Sequence, residues 1–506
     1  MAHAPTAVAP ERLRLPALGF VLAVALGVRL WIVATHTYIV WPDETFQYLE
    51  PAHRLAFGSG VITWEFLDGI RSWFLPGILA GIMRLTALVD PNPDGYVLTS
   101  RVLCVLASLA VPFVGFRIAE RRAGPAAALL AGLLCALATE TVYFAPVVMT
   151  EPLATDAALL AIWLGDGAPC RRRLLGAGLL FGLAASLRYQ YAPILAVVAL
   201  AQHARRPRDL LVVAAAGLAV VVPVLGLLDW ITWGVPFQSV WLNFLRNATQ
   251  GVSAAMGAEG WYFYPAYYLV AWGPLAGALL ICAVLGAVRA PLLGLAVVAT
   301  IALHSLAPHK ELRFVFLATA CMPTLIGIGL ATLLRRLRRL PRLRTPGLAL
   351  PMAALLALAV SGYTALAGYG RATPPDAWHR DRSMLQATAA ARAVPGACGL
   401  AIRTIWVYRS GGYSYWHRDL PIYFETWDAA QVLDTTSFRL NLASELDGRP
   451  VRQFPAAELP SHAGAFNVIV GAPDDALPGF AQHACFGEAT KADPRYCVFV
   501  RPGGCE

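Results

Sequence analysis

Trp41-Pro42-Asp43-Glu44-Thr45-Phe46-Gln47-Tyr48-Leu49-Glu50-Pro51-Ala52-His53-Arg54 follows directly on the first long apolar run of this 506-residue chain. Pro42 suits the first turn of a helix, where its missing N–H costs nothing. Asp43 and Glu44 then fall in that turn, where exposed N–H groups and the helix dipole favour ionised carboxylates. Spacings of four, three and four place Asp43, Gln47, Glu50 and Arg54 on one helical face, with Phe46, Leu49 and Phe57 on another. The pattern predicts a short amphipathic helix at a membrane surface, its acids aimed into a cleft.

The rest of the chain supplies the membrane. It is 58% hydrophobic and only 14% charged, with a mean hydropathy of +0.57, where a soluble domain carries roughly a quarter charged residues. The net charge of +9 does not point to nucleic acid, because the arginines cluster between apolar segments in the positive-inside pattern. Only two of the 40 basic residues are lysine, Lys310 and Lys491. That arginine bias reads as a GC-rich, bacterial genome, which predicts an inner-membrane protein.

Charge decides the topology. The first apolar run, about 15–40, is too long for a cleavable signal and reads as a transmembrane helix. Arg117/Arg121/Arg122, Arg171–Arg173, Arg205/Arg206/Arg208, Arg289 and the run from Arg335 to Arg344 belong in the cytoplasm. Segment 74–89 is therefore a re-entrant or surface helix at the outer face, and 174–203 crosses twice with an outer apex at Ser186-Leu187-Arg188-Tyr189-Gln190-Tyr191. The expectation is about 11 spans, the N-terminus inside and the C-terminus outside. The outer face, periplasmic in a bacterium, then collects the first loop (38–96), the turn around Glu140, Glu151 and Asp156, the Arg188 apex, a loop at 232–263, and His309 to Arg313. Residues 1–370 form the membrane domain. Residues 371–506 read as a small α/β domain outside it, with short β-type runs at Gly399-Leu-Ala-Ile-Arg, Trp406-Val-Tyr and Phe466-Asn-Val-Ile-Val. Four of the nine cysteines fall there, and Cys485 with Cys497 is the expected disulfide.

Two motifs carry a resemblance. Pro42-Asp43-Glu44…Phe46-Gln47…Glu50-Pro51-Ala52-His53, followed by Thr63-Trp64-Glu65-Phe66 and Arg71-Ser72, is similar to the first outer loop of glycosyltransferase family 22. His309-Lys310-Glu311-Leu312-Arg313-Phe314 resembles that family's second signature. The pattern departs at Trp41, where the family usually has His, and at Leu312, where it has a second acid. The resemblance implies a polytopic α-helical membrane protein of the GT-C fold. By it, the chain would move mannose, with inversion, from a polyprenyl-phosphate donor to a hydroxyl of a glycan or glycolipid acceptor.

Such transfer needs a base, cations for the departing phosphate, and an apolar groove for lipid. Asp43 at a helix start is the expected base, with Glu44 sharing that role or holding a sugar hydroxyl. His309, Lys310, Arg313 and Arg188 are the expected phosphate ligands. Gln47, Glu50, His53, Trp64, Glu65 and Arg71 are candidates for the sugar, the acceptor or support of the base. The aromatic run Trp261 to Tyr268 serves the membrane interface or a lipid groove. No metal-ligand spacing, CxxC, P-loop or GxGxxG occurs, so no cofactor and no divalent metal are expected. The alternatives are a GT-C transferase of another prenyl-phosphate sugar, and a flippase or transporter. The latter usually shows internal repeats and midplane polar sites, and neither is evident here.

Overall fold

The computed structural model describes residues 14–36, 38–39, 41–337, 349–369, 378, 380–403, 410–426, 452–455, 458–490 and 494–505. The later part of the basic run, including Arg338 to Arg344, and the Trp406-Val-Tyr stretch lie outside the described residues. Among the described residues six helices are long and apolar enough to cross a membrane: Leu15–Thr35, Pro93–Ala123, Pro207–Trp233, Phe263–Arg289, Leu312–Arg336 and Ala349–Leu366. Phe74–Ala87 has 14 residues, about 21 Å of helix, which falls short of a bilayer core. Segment 174–203 breaks in two, Arg171–Leu187 and Ala192–His203. Arg188 between them is extended (φ −141°, ψ 91°), and Pro193 suits only the start of the second helix.

The chain divides into two compact units. The first comprises Met1–Ile32, Leu103–Leu227 and Leu245–Pro374. Lipid cannot drive its helices together by hydrophobicity, so small residues let backbones approach closely. At Gly182 of the helix Arg171–Leu187 a side chain would overlap the carbonyl of Gly217, and at Gly329 it would overlap that of Cys282. Arg29 is fully buried among these helices and donates to the carbonyls of Ala25, Ala136 and Cys135 at 3.1, 3.0 and 3.3 Å.

The second unit comprises Val33–Val102, Leu228–Phe244 and Pro375–Glu506. It contains a six-stranded sheet in the order β3-β2-β1-β4-β6-β5. The strands are β1 Leu400–Ile402, β2 Ile422–Thr426, β3 Arg452–Pro455, β4 Val468–Gly471, β5 Ala481–Phe486 and β6 Tyr496–Val500. The first four run parallel, while β6 is antiparallel to both β4 and β5. Cys485 and Cys497 face each other across β5 and β6 and form a disulfide; Cys398 and Cys505 form a second.

This unit corrects the expectation of a surface helix. Residues Glu44–Leu49 wind as a π-helix, continued by the α-helix Glu50–Phe57, and Glu44 to His53 are all buried. Phe46 and Val61 share one core with Leu400, Ile402, Trp416, Phe424 and Val468. Phe46, on the apolar face of the expected membrane-surface helix, packs instead against the sheet. The first outer loop thus groups with residues beyond 374, although it is far from them in sequence.

Candidate active site

In the second unit, Asp43 ends a polar chain. Gln47 donates its amide to Asp43 and to Glu65 Oε1, the latter at 2.8 Å. Arg71 donates to the same Glu65 oxygen from Nε (3.2 Å) and Nη2 (2.6 Å), and Thr63 Oγ1 donates to Oε2 at 3.3 Å. The indole N–H of Trp233 holds the Arg71 carbonyl at 3.1 Å. Arg71 therefore fixes Glu65, Glu65 fixes Gln47, and Gln47 orients the carboxylate of Asp43. Glu44 is turned into the interior beside Arg101, at 3.5 Å. Arg101 is itself bonded to the Tyr38 carbonyl at 2.8 Å.

Two other motif residues serve a different junction. Glu50 is fully buried and accepts the backbone N–H groups of Val61 (2.8 Å) and Ser414 (2.5 Å). Gly412 (φ +57°) lies so close that any side chain there would strike the Glu50 carboxyl. Burial pushes that carboxyl up to about 7, against the pull of its N–H partners. His53 meets His417 ring to ring, Nε2 to Nδ1 at 2.8 Å, and also contacts the Ser59 carbonyl. Burial holds its ring down at about 4, and neighbouring His417 adds to that. Glu50 and His53 tie the first outer loop to residues 412–417. Trp64 opens the short helix Trp64–Leu67; its side chain lies outside the described residues.

The first unit holds the cationic cluster. Arg188 and Arg313 share one oxygen of Glu151, at 2.8 and 3.6 Å. Arg313 Nε also pairs with Glu311 at 2.5 Å, and Glu311 with His309 at 2.9 Å. Both guanidinium groups lie over the Phe314 ring, at 5.1 and 5.2 Å. Burial opposes ionisation of Glu311, but Arg313 and His309 prevail and hold its carboxyl at about 2. The bond to Glu311 raises the His309 ring above its ordinary value, burial opposing it. Among the described residues, three buried polar atoms here have no hydrogen-bond partner: Arg188 Nε, Tyr264 Oη and His304 Nε2. A buried guanidinium donor left unspent is a place for an anion or a sugar oxygen.

Lys310 departs from expectation. It is 6% exposed, and its ammonium donates to the carbonyls of Glu259 (2.8 Å), Ala307 (2.5 Å) and Pro308 (3.4 Å). Those are as many acceptors as it has hydrogens. Together with the Glu259 N–H bonded to the Pro308 carbonyl (3.0 Å), it pins the loop before the helix Phe263–Trp272 to the loop before Leu312. In this structure Lys310 is a clamp, and the cations near the unspent donor are arginines. Among the described residues no group of three His, Cys, Asp or Glu side chains is placed to hold a metal ion.

Residues 20–389, which include both motifs, match the Alg9-like mannosyltransferase family. The chain belongs to that family. It is 29% identical over 309 residues to GPI mannosyltransferase 3 of Yarrowia lipolytica, covering 58% of this chain and 59% of that one. It is 28% identical over 342 residues to GPI mannosyltransferase 3 of Trypanosoma brucei brucei, covering 57% and 61%. The match thus spans about 60% of the length of these relatives. The fold is GT-C. ArnT from Cupriavidus metallidurans in the apo state superposes with a TM-score of 0.64 at 15% identity, over 95% of this chain and 97% of that one. Its undecaprenyl-phosphate-bound form gives 0.62 at 14% identity, with the same coverage.

Within this family member, sequence reasoning named Asp43, Gln47, Glu65 and Arg71 in one motif but did not give their chain of bonds. It placed Glu151 in a turn at the outer face without naming it for the site. The signal that would have promoted it is an ionisable group at the outer end of an apolar helix, which calls for a partner. Tyr264 was read only as part of the aromatic run Trp261 to Tyr268, and nothing in sequence marked His304.

Proposed function

We propose that this chain transfers mannose from a polyprenyl-phosphate-linked donor to an acceptor hydroxyl, inverting the anomeric carbon, at the outer face of the membrane. The acceptor is a lipid-linked glycan or glycolipid; the GPI mannosyltransferase names of the relatives favour a glycolipid. Asp43 takes the hydroxyl proton as the oxygen bonds to the anomeric carbon. The bond from that carbon to the phosphate oxygen breaks on the opposite side, and the electron pair leaves with the prenyl phosphate. Arg188 and Arg313 receive the charge that develops there. The donor carries one phosphate and the side chains supply the cations, so no divalent metal is required. By this reading the protein sits in a bacterial inner membrane with its active side and its sheet-bearing residues in the periplasm.

The observation that supports the reading most is the Arg188–Glu151–Arg313 cluster with its unspent Nε donor. The test is transfer of labelled mannose from a synthetic short-chain polyprenyl-phosphate-mannose, with native membrane lipids as acceptors. Wild type gives a labelled product, and Asp43→Asn lowers the rate by roughly 10²–10⁴-fold. Transfer unchanged in Asp43→Asn removes Asp43 as base. Transfer only from a different prenyl-phosphate sugar discards mannose.

A further inference from the structure

We propose that the membrane-embedded unit binds an aminophospholipid of the surrounding bilayer, with the lipid's primary ammonium on Glu140. The site is a small pocket in the first unit, with about 40 Å³ of room inside it. Its walls are apolar, with Leu134, Leu279, Met322 and Ile326 among them, and its polar groups are few. That is the usual make-up of a small-molecule or lipid site. It is separate from the arginine cluster, which contributes none of its lining.

Three observations define the ligand. Among the described residues no Arg, Lys or His lines the cavity, so a phosphate head such as that of the prenyl donor finds no partner there. Glu140 lines the pocket, and the side-chain donor to it is the Tyr267 hydroxyl, at a long 3.4 Å. Among the described residues no cation pairs with it, and a carboxylate against apolar walls calls for one. Ser361 also lines the cavity; it is 6% exposed and its hydroxyl has no partner. A further acceptor comes from the helix Phe316–Leu337. Pro323, inside that helix and on the cavity wall, has no N–H for the carbonyl of Thr319. A carboxylate, a hydroxyl and the Thr319 carbonyl, which Pro323 deprives of its helical N–H, form a set of acceptors suited to a head with several N–H donors. A primary ammonium has three; the quaternary ammonium of phosphatidylcholine has the same charge and none.

The test is competition. Purified full-length protein is exposed to an equimolar mixture of phosphatidylethanolamine, phosphatidylcholine and phosphatidylglycerol, and retained lipid is read by native mass spectrometry. Wild type retains phosphatidylethanolamine over phosphatidylcholine by roughly tenfold or more, the worth of a charge-assisted hydrogen bond. Glu140→Gln loses that preference, and Ser361→Leu, which fills the cavity, lowers retention of all three. Should the filled variant fail to fold, the wild-type competition and Glu140→Gln still decide. Equal retention of the ethanolamine and choline lipids, or the same preference in Glu140→Gln, overturns the proposal. Selection of phosphatidylglycerol overturns the ammonium and assigns a hydroxyl head. None of these readouts depends on sugar transfer, so the proposed reaction can fail or stand independently.

Discussion

Arg188 Nη1 lies 2.8 Å from Glu151 Oε1, with the two side chains only 8% and 3% exposed. Arg313 reaches the same oxygen at 3.6 Å. Removing one member of a buried charge group costs far more than its net contribution, because the remaining charges lose their compensation. Glu151→Ala is therefore expected to destabilise the protein by about 3–5 kcal/mol, read as a fall in thermal unfolding temperature in detergent. A loss below about 1 kcal/mol, typical of exposed pairs, would mean that water reaches these guanidinium groups.

Gln47→Leu leaves Asp43 in place and removes the amide that orients it. Misplacing a reacting group by about 1 Å costs on the order of 10²-fold in rate, so kcat should fall by that order while KM for the donor changes little. Glu65→Gln should show a milder version, since Arg71 loses its charged partner. An unchanged kcat in Gln47→Leu would show that Asp43 is positioned without it.

Glu50 and His53 set opposite pH dependences in the second unit. The Glu50 carboxyl is raised from 4.5 to about 7, so between those values the folded state holds the extra proton and stability falls as pH rises. The His53 ring is lowered from 6.5 to about 4; there the unfolded state holds the extra proton and stability rises with pH. The two offset each other across pH 4.5–6.5, and unfolding temperature should vary little there. Glu50→Gln removes the falling limb, on the order of 3 kcal/mol. Its unfolding temperature should then climb with pH from about 4 to 6.5. A flat profile in that variant would count against burial lowering the His53 ring.

The Cys398–Cys505 bridge closes a separation of 107 residues around the sheet. Chain-entropy reasoning gives about 4–5 kcal/mol for a loop of that size. The double variant Cys398→Ser/Cys505→Ser should lower unfolding temperature more than Cys485→Ser/Cys497→Ser, whose cysteines are 12 apart. Equal effects would point to strand packing rather than loop closure.

Lys310→Met should open the loop that Lys310 clamps. Limited proteolysis near Gly257 to Tyr262 is expected to accelerate, with donor KM rising only as a consequence. A large rise in donor KM with unchanged proteolysis would restore Lys310 as a phosphate ligand.

Composition alone committed this chain to a membrane, because a peptide that is 58% hydrophobic cannot bury that surface in water. Charge asymmetry and helix length set 74–89 apart as too short to cross and predicted a break in 174–203 at Arg188; the structure has a 14-residue helix at Phe74–Ala87 and a break at Arg188. The two motifs were legible because Asp43, Gln47, Glu65 and Arg71 lie within 30 residues, where local spacing constrains contact. What sequence could not supply was long-range. Periodicity marks an apolar face but not what covers it, so Phe46 read as lipid-facing when it packs on the sheet. Glu50 read as a site acid because no pattern announces that Ser414, 364 residues away, donates to it. Lys310 read as a phosphate ligand from its charge, whereas its three carbonyl partners are backbone atoms that every residue carries. Residue types fix which bonds are available; only the folded chain decides which are already made.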